Sequence, residues 1–449
     1  MPGFLKSALA GVLVTLSAMA SAFAAGPEVR VADNVYLVPD PKAKVITVWM
    51  IVKAGCRDEE SGQCRGLAHY LEHLVFLGRK AEQDAASANL FAAGQTNAFT
   101  SMQTTAYYQT LPVREGEVLA DVERLVGLFA GRIQKIDAPE DGALRERNVV
   151  LQEFNQRRSD STRSSFYREM NTKMQPDHPV RQSVIGTKAD IDAFTLERAR
   201  EFHTRWYAKN NATFVVYGPV SAEDVKPLIA KYIDPIAPKK VPSRGWLDAL
   251  RTFAPMDEMV RVEDAETKRT EVYLQRIVRY EEPDLSAASA VNLVLADFLN
   301  SQIKGSLSDV FVENRKLATS VHISATGLGA GVLWYTMSAT LEEGVEPNQM
   351  KPAFEEYIRK LAETGVEESV VARLKRRRVN DREEVEKDPQ RTLSALTNWF
   401  SGHGTFEEWN ARAQVYADVT AASLKGKLAV MVQPGRQIFG VLTPKGTTK

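Results

Sequence analysis

A proline-rich stretch separates two halves of the chain, and strand-like and helix-like segments alternate in both. Residues 235–245 contain three prolines, a composition typical of an extended linker. Short β-branched or aromatic runs followed by longer helical patterns predict α/β (α+β) domains, each with a mixed sheet and helices. We therefore expect two such domains, at 26–234 and 246–449. Their sequences are too dissimilar to prove a duplication.

The amino-terminal half carries the clearest pattern. Residues 44–52 form a continuous apolar run that suits a buried strand. Residues 96–111 are rich in Thr, Tyr and Phe, which favours a pair of strands. Helices are predicted at 66–77, 113–133 and 139–159.

Residues 1–25 have the composition of a secretory signal peptide. A single positive charge at Lys6 precedes an apolar run at 8–20, and small residues at 21–25 give an A-x-A cleavage arrangement. An uncleaved membrane anchor is the alternative, but the run is short for a membrane span. We expect an exported protein of a bacterial periplasm, without stable membrane insertion after cleavage.

The charge balance argues against one large class of partner. The sequence has 57 Lys and Arg against 57 Asp and Glu, so no field of one sign would attract nucleic acid or anionic lipid. No nucleic-acid partner is expected.

The two cysteines, Cys56 and Cys64, lie in one short polar segment. In an oxidising compartment a disulfide between them would stiffen the loop before the 66–77 helix. Two free thiols are the alternative, and the sequence does not decide between them. Zinc ligation by this pair is not expected, because no second Cys or His pair has a structural-site spacing.

His69, Glu72 and His73 form the pattern H-x-x-E-H, which occurs in inverted zinc proteases. On a helix, histidines four positions apart project from one face and can hold one ion. Catalytic zinc takes three protein ligands and leaves one position for a water, whose proton a neighbouring carboxylate can accept. The pattern predicts a zinc metallopeptidase with two histidine ligands and Glu72 as general base. The alternative is a pair of structural histidines.

A third ligand is required, and the 139–159 helix offers Glu146 and Glu153. They are two helical turns apart and lie on nearly the same face. Spacing alone does not choose between them, and either could instead be a solvated surface carboxylate.

Several motifs together resemble the pitrilysin/insulinase family of zinc peptidases, in the branch that includes mitochondrial processing peptidase and short bacterial relatives. The matching stretches are 66–78, 94–101 with 105–108, 146–153, 184–187 and 206–211. The resemblance implies two homologous α/β domains that form half of a clam shell around a chamber. It also implies a zinc-bearing subunit similar to the β subunit of mitochondrial processing peptidase.

The resemblance implies a role for each matching residue of the motif. His69, His73 and Glu153 would bind one zinc ion (Zn²⁺) per chain, and Glu72 would be the general base. Glu146 would be a supporting carboxylate that orients a ligand.

Two further matches concern the substrate. Asn97 and Ala98 would lie on an edge strand, to which a peptide in extended conformation adds as a further strand. Pairing through the main chain suits unfolded peptides better than folded proteins.

The second half departs from the family pattern at two positions. Active members carry there an Arg and a Tyr that bind substrate and steady the tetrahedral intermediate, whereas this chain has Val312 and Thr319. Arg315 occupies the other basic position of the pattern. A donor aimed at the oxyanion can be worth on the order of 3 kcal/mol. We therefore expect a heterodimer in which a homologous subunit without the zinc motif supplies the Arg/Tyr pair. A self-sufficient homodimeric peptidase and a non-catalytic structural subunit are the alternatives.

Overall fold

The computed structural model describes residues 28–77, 94–157, 161–174, 183–246, 252–280, 285–329 and 331–446. The predicted signal peptide at 1–25 lies outside these residues. Within them, two mixed β-sheets pack against helices, which confirms the α/β (α+β) class. None of the helices in the described ranges is both long and apolar enough to cross a bilayer.

The amino-terminal half forms one sheet and the helices around it. Its strands are β1 (Val29–Ala32), β2 (Val35–Pro39), β3 (Val45–Val52), β4 (Gln95–Thr100), β5 (Thr105–Pro112) and β6 (Ala212–Gly218). Its helices are α1 (Leu67–Leu74), α2 (Val118–Gln134), α3 (Glu140–Arg157), α4 (Thr162–Met174), α5 (Lys188–Asp192), α6 (Leu196–Trp206) and α7 (Ala222–Tyr232). The strand order is β1-β2-β6-β3-β5-β4.

The carboxy-terminal half repeats this plan. Its strands are β7 (Met256–Asp264), β8 (Glu271–Arg279), β9 (Ala318–Gly329), β10 (Val332–Leu341) and β11 (Arg436–Pro444). Its helices are α8 (Leu285–Leu299), α9 (Met350–Thr364), α10 (Glu368–Glu386), α11 (Pro389–Ser401), α12 (Phe406–Ala417) and α13 (Ala421–Met431), and a π-helical segment covers Ser308–Asn314. The strand order is β7-β11-β8-β10-β9.

The two sheets share one topology once β1 is set aside. In each, the first strand runs parallel to the last strand of its half, β2 to β6 and β7 to β11. The other neighbours, β6-β3-β5-β4 and β11-β8-β10-β9, are antiparallel. This equivalence supports the duplication that sequence comparison of the halves could not prove.

Strand β3 is apolar at every position except Thr47 because both faces of its sheet are covered. Ile46, Val48 and Met50 point into the main core of the first half, which includes α1 and α2. Ile51 points to the opposite face, where it belongs to a separate apolar cluster. Successive side chains of a strand alternate between faces, so covering both faces requires a continuous apolar run.

One helix from each half packs against the sheet of the other half, on the face that points away from that half's own main core. Leu396 and Phe400 of α11 pack against strands of the first sheet. Phe166 and Met170 of α4 pack in the same way against strands of the second sheet. The boundaries at 234 and 246 stay a prediction. Each half has its own main core, and only the two smaller apolar clusters contain residues of both halves.

Candidate metal centre

Helix α1 is fixed at its start and along its side. Gly66 precedes it with φ 92°, and a Cβ there would lie 2.3 Å from the carbonyl oxygen of Ile185. A side chain at this position would therefore push α1 away from the 184–187 segment. The Tyr70 hydroxyl donates to the carbonyl of Ala143 at 2.7 Å, which fastens α1 to α3.

Three side chains from α1 and α3 converge. The Nε2 atoms of His69 and His73 each lie 3.6 Å from Oε2 of Glu153. The ligand atoms of all three residues lie within 4.8 Å of one another. His69 is buried, while Glu153 and His73 keep 23% and 20% of their side-chain surface exposed, so the cluster is open on one side.

Glu146 contacts the back of this cluster. Its Oε2 lies 3.0 Å from Nδ1 of His73. A carboxylate accepts, so Nδ1 carries the proton and the Nε2 lone pair of His73 is left facing Glu153. The structure thus places Glu153 among the imidazoles and Glu146 behind one of them.

The donor set fits a zinc ion. Ligand atoms at about 2.0–2.2 Å from a tetrahedral zinc are about 3.3–3.6 Å apart, close to the separations between the histidine nitrogens and Glu153. Two imidazole nitrogens and one carboxylate oxygen also form a catalytic type of zinc site, with one position left for water.

Glu72 lies on the same helix as the two histidines and is held by Thr100. The Thr100 hydroxyl donates to Oε2 of Glu72 at 2.5 Å, and only 8% of Glu72 is exposed. Sequence reasoning missed Thr100, although the period of two along β4 places it on the same face as Ala98.

Two buried tyrosines lie near Glu72. The hydroxyls of Tyr107 and Tyr207 are 2.6 Å apart, and both rings are fully buried. Burial is the main cause that raises the pKa of each phenol, and the negative charge of Glu72 adds to it. Both phenols therefore stay neutral and act as hydrogen-bonding groups.

The predicted substrate strand lies at the edge of the first sheet. Asn97 and Ala98 pair with Tyr108 and Tyr107 of β5, and among the described residues β4 has no other strand neighbour. The Ala98 N–H is covered by Oδ1 of Asn97 at 2.9 Å. Within the described residues, β4 is therefore an edge strand, as the prediction of a peptide-binding strand requires.

The 56–64 loop is closed by a disulfide between Cys56 and Cys64 and carries Glu59 to the start of α1. The Glu59 carboxylate accepts from the N–H groups of Arg65 and Ala68 at 2.8 and 2.9 Å. Helix N-termini have unpaired N–H groups, and a carboxyl oxygen can accept their hydrogen bonds. No local capping pattern marks this contact, which is why the sequence did not reveal it.

Glu59 should make stability fall as pH rises. Burial raises its pKa to about 8 from an ordinary value near 4.5, against the opposing effect of its backbone hydrogen bonds. Its contribution is complete below pH 4.5 and is lost as pH rises towards 8. Relative to Glu59→Gln, which does not titrate, the metal-free wild-type chain should lose on the order of 3 kcal/mol between pH 5 and pH 8. Urea unfolding of both proteins at the two pH values measures this, and a pH-independent difference would contradict it.

The turn between β4 and β5 is held by both halves. The Arg57 N–H donates to the carbonyl of Met102 at 2.9 Å, and His403 Nε2 donates to that of Gln103 at 2.7 Å. Burial lowers the pKa of His403 to about 4, so it is a neutral hydrogen-bonding residue.

The two departures from the family pattern lie in the second half. Val312 is part of the π-helical segment, and Thr319 is an exposed residue near the start of β9 whose hydroxyl donates to the carbonyl of Thr340 at 3.3 Å. Arg315 lies over the ring of Phe311 and pairs with Glu356 at 3.4 Å. Arg315 is thus already engaged within its own half.

Family comparison covers both halves. The insulinase family, peptidase family M16, matches residues 34–188, and the peptidase M16 inactive domain matches residues 193–378. The zinc protease PqqE of Helicobacter pylori is 30% identical over 231 residues, which are 50% of this chain and 50% of that protein. The chain spans half or less of the length of the curated relatives that it matches.

Solved structures share the fold. The first half of the periplasmic protease PqqL from Escherichia coli matches 92% of this chain and 90% of its own, with a TM-score of 0.72 and 16% identity. Pitrilysin matches 92% of this chain and 44% of its own, with a TM-score of 0.71 and 20% identity. On these matches, the chain belongs to the insulinase family of peptidases, peptidase family M16.

Proposed function

We propose that this chain is a zinc metalloendopeptidase that hydrolyses unfolded peptides. The observation that carries the proposal is the convergence of His69, His73 and Glu153 beside a Glu72 that is fixed in orientation by Thr100. A structural subunit has no need for an open cluster of this kind next to a positioned carboxylate. The zinc protease relatives support the same chemistry.

Each residue of the site has a separate role in the proposed reaction. His69, His73 and Glu153 would hold one zinc ion, which supplies a Lewis acid and lowers the pKa of water. Glu72 accepts the proton of the attacking water and passes it to the leaving amine. Glu146 keeps His73 in the tautomer that ligation needs.

The substrate is a peptide in extended conformation. The edge strand β4 ends at Thr100, whose side chain contacts Glu72. A peptide added along Asn97 and Ala98 would therefore run past the general base with its main chain fixed. A folded protein offers few free segments of this kind.

A second subunit would complete the site. Val312 and Thr319 offer neither a guanidinium nor a phenol, and Arg315 is bound to Glu356. Pitrilysin and PqqL are about twice as long as the part this chain matches, 44% and 47% of each. We infer a heterodimer whose other chain, homologous but without the zinc motif, brings the Arg/Tyr pair; a homodimer is the second candidate.

We place the protein in the periplasm, exported by residues 1–25. The similar PqqL protease is described as periplasmic, and the disulfide between Cys56 and Cys64 suits an oxidising compartment. The resemblance to mitochondrial processing peptidase stays a prediction.

The test is hydrolysis of an unstructured fluorogenic peptide by the zinc-loaded mature chain, alone and after purification from its native source. We expect little turnover by the chain alone and high turnover by a complex that contains a second, homologous chain. A fully active homodimer from the native source would contradict the heterodimer but not the peptidase. Zinc binding without turnover in either preparation would contradict the peptidase.

Thr100→Val should lower kcat by about 10-fold and leave KM and zinc content unchanged. The change removes the donor to Glu72 while keeping the shape of the side chain, so the carboxylate loses its orientation towards water. Thr100→Ser, which keeps the hydroxyl, is the control and should retain most of the activity. An equal loss in both variants would show that packing at β4, and not the hydrogen bond, is responsible.

A further inference from the structure

The loop that caps α1 also lines a cavity of about 590 Å³. The other walls are the end of α6, with Arg205 and Trp206, and residues 242–246 at the end of the predicted linker. None of the residues assigned to peptide hydrolysis contributes to this wall. The volume is in the range of pockets that hold small molecules.

The two buried acidic residues of the cavity wall, Asp58 and Glu59, are bonded to other groups, while Glu60 is exposed and pairs with Arg198 at 3.8 Å. Asp58 accepts from the Gly55 N–H at 2.9 Å and from Trp246 Nε1 at 3.1 Å, and it pairs with Arg244 at 3.2 Å. Glu59 is bound to the start of α1. The carboxylates therefore have partners other than Arg57.

Arg57 is a buried cation without a hydrogen-bond acceptor. It is 3% exposed, and its Nε and Nη1 atoms meet no acceptor within the described part of the chain. Its guanidinium lies 5.1 Å from the centre of the Trp246 ring, and Asp58 attracts it without bonding to it. Burial lowers its pKa to about 10, so it stays charged at neutral pH. A buried donor with no acceptor is costly.

Other basic residues lie close to Arg244. Burial and the charge of Arg244 lower the pKa of Lys53. The charges of Arg244 and Lys53 also lower the pKa of the buried His403, which is neutral. Arg205 adds a charge at the cavity wall. The wall holds three arginines, Arg57, Arg205 and Arg244, and three acidic residues, Asp58, Glu59 and Glu60. Arg57 is therefore distinguished by its missing hydrogen-bond acceptor and not by a net positive charge of the wall.

We propose that this cavity binds a small oxyanion, a carboxylate or a phosphate, through Arg57. Both groups only accept hydrogen bonds, which matches a wall whose unsatisfied groups are donors. The rings of Trp206 and Trp246 offer apolar surface for the rest of such a molecule.

The site shares its loop with the metal centre. The backbone N–H of Arg57 donates to the β4–β5 turn. Glu59, two residues later in the chain, caps α1. A bound anion would therefore stiffen the segment that positions both β4 and the zinc-binding helix. The binding itself does not depend on peptidase activity.

The test is a set of melting temperatures for the mature chain in sodium phosphate, sodium succinate or sodium chloride at equal ionic strength, with and without zinc. We expect a saturating oxyanion to raise the melting temperature by roughly 2–5 °C over chloride, equally in both metal states. A shift seen only with zinc would place the anion on the metal and overturn the proposal. A short peptide acid and its amide, added to the metal-free chain, separate a peptide carboxylate from inorganic phosphate as the source.

The decisive variant is Arg57→Met, which keeps the length of the side chain. It should abolish the oxyanion shift while leaving the melting temperature in chloride unchanged or higher, because an unpaired buried charge is removed. Arg145→Met, at an exposed arginine of α3, is the matched control and should keep the shift. A wild-type chain that does not respond to either oxyanion, or an Arg57→Met chain that responds as the wild type does, would overturn the proposal.

Discussion

Replacing Glu72 by Gln should lower kcat by about 10²–10⁴-fold and leave zinc content unchanged. The amide has nearly the shape of the carboxylate and can still contact Thr100, but it cannot accept the proton of the attacking water. The cluster of His69, His73 and Glu153 is untouched by the change. Peptide hydrolysis under saturating substrate, together with metal analysis of the same sample, measures both quantities.

The control for this variant is Glu140→Gln. Glu140 begins α3 with 77% of its side chain exposed, so the same chemical change there should alter neither activity nor stability. Activity retained by Glu72→Gln would mean that another group accepts the proton. Lost zinc would instead mean that Glu72 supports the metal cluster directly.

The strands near the metal centre could be predicted because they bury apolar residues. The predicted strand at 44–52 and strand pair at 96–111 correspond closely to β3, β4 and β5. The helix predicted at 66–77 is shorter and ends at Leu74. Helix ends are set by capping contacts, and the residues after α1 turn without a local signal.

Strands β7 and β11 were not predicted. The packing of one helix from each half against the sheet of the other half was not predicted either. β7 is mostly exposed and charged, and it is a strand because β11 pairs with it from far along the chain. The apolar face of α11 shows that the helix is buried, but not which sheet covers it. Amphipathic patterns define a face and leave its partner open.

Site residues that lie close together in the sequence could also be predicted, whereas those that act through tertiary contacts could not. H-x-x-E-H predicts two ligands and a base because all three lie on one short helix. Thr100 and Glu59 act through tertiary contacts, and the chain gives no spacing rule for either. The third ligand was open for the same reason, since Glu146 and Glu153 are equivalent in sequence and differ only in which imidazole atoms they approach.

Glu153→Gln should therefore weaken zinc binding by more than about 100-fold, whereas Glu146→Gln should weaken it by only about 10-fold. Glu153 lies 3.6 Å from both Nε2 atoms, where a ligand oxygen would be, and an amide oxygen there lacks the charge that balances the ion. Glu146 contacts only Nδ1 of His73, and Gln can still accept from it. Competition with a zinc chelator measures both affinities. Equal losses, or a larger loss in Glu146→Gln, would contradict the assignment of Glu153 as the third ligand.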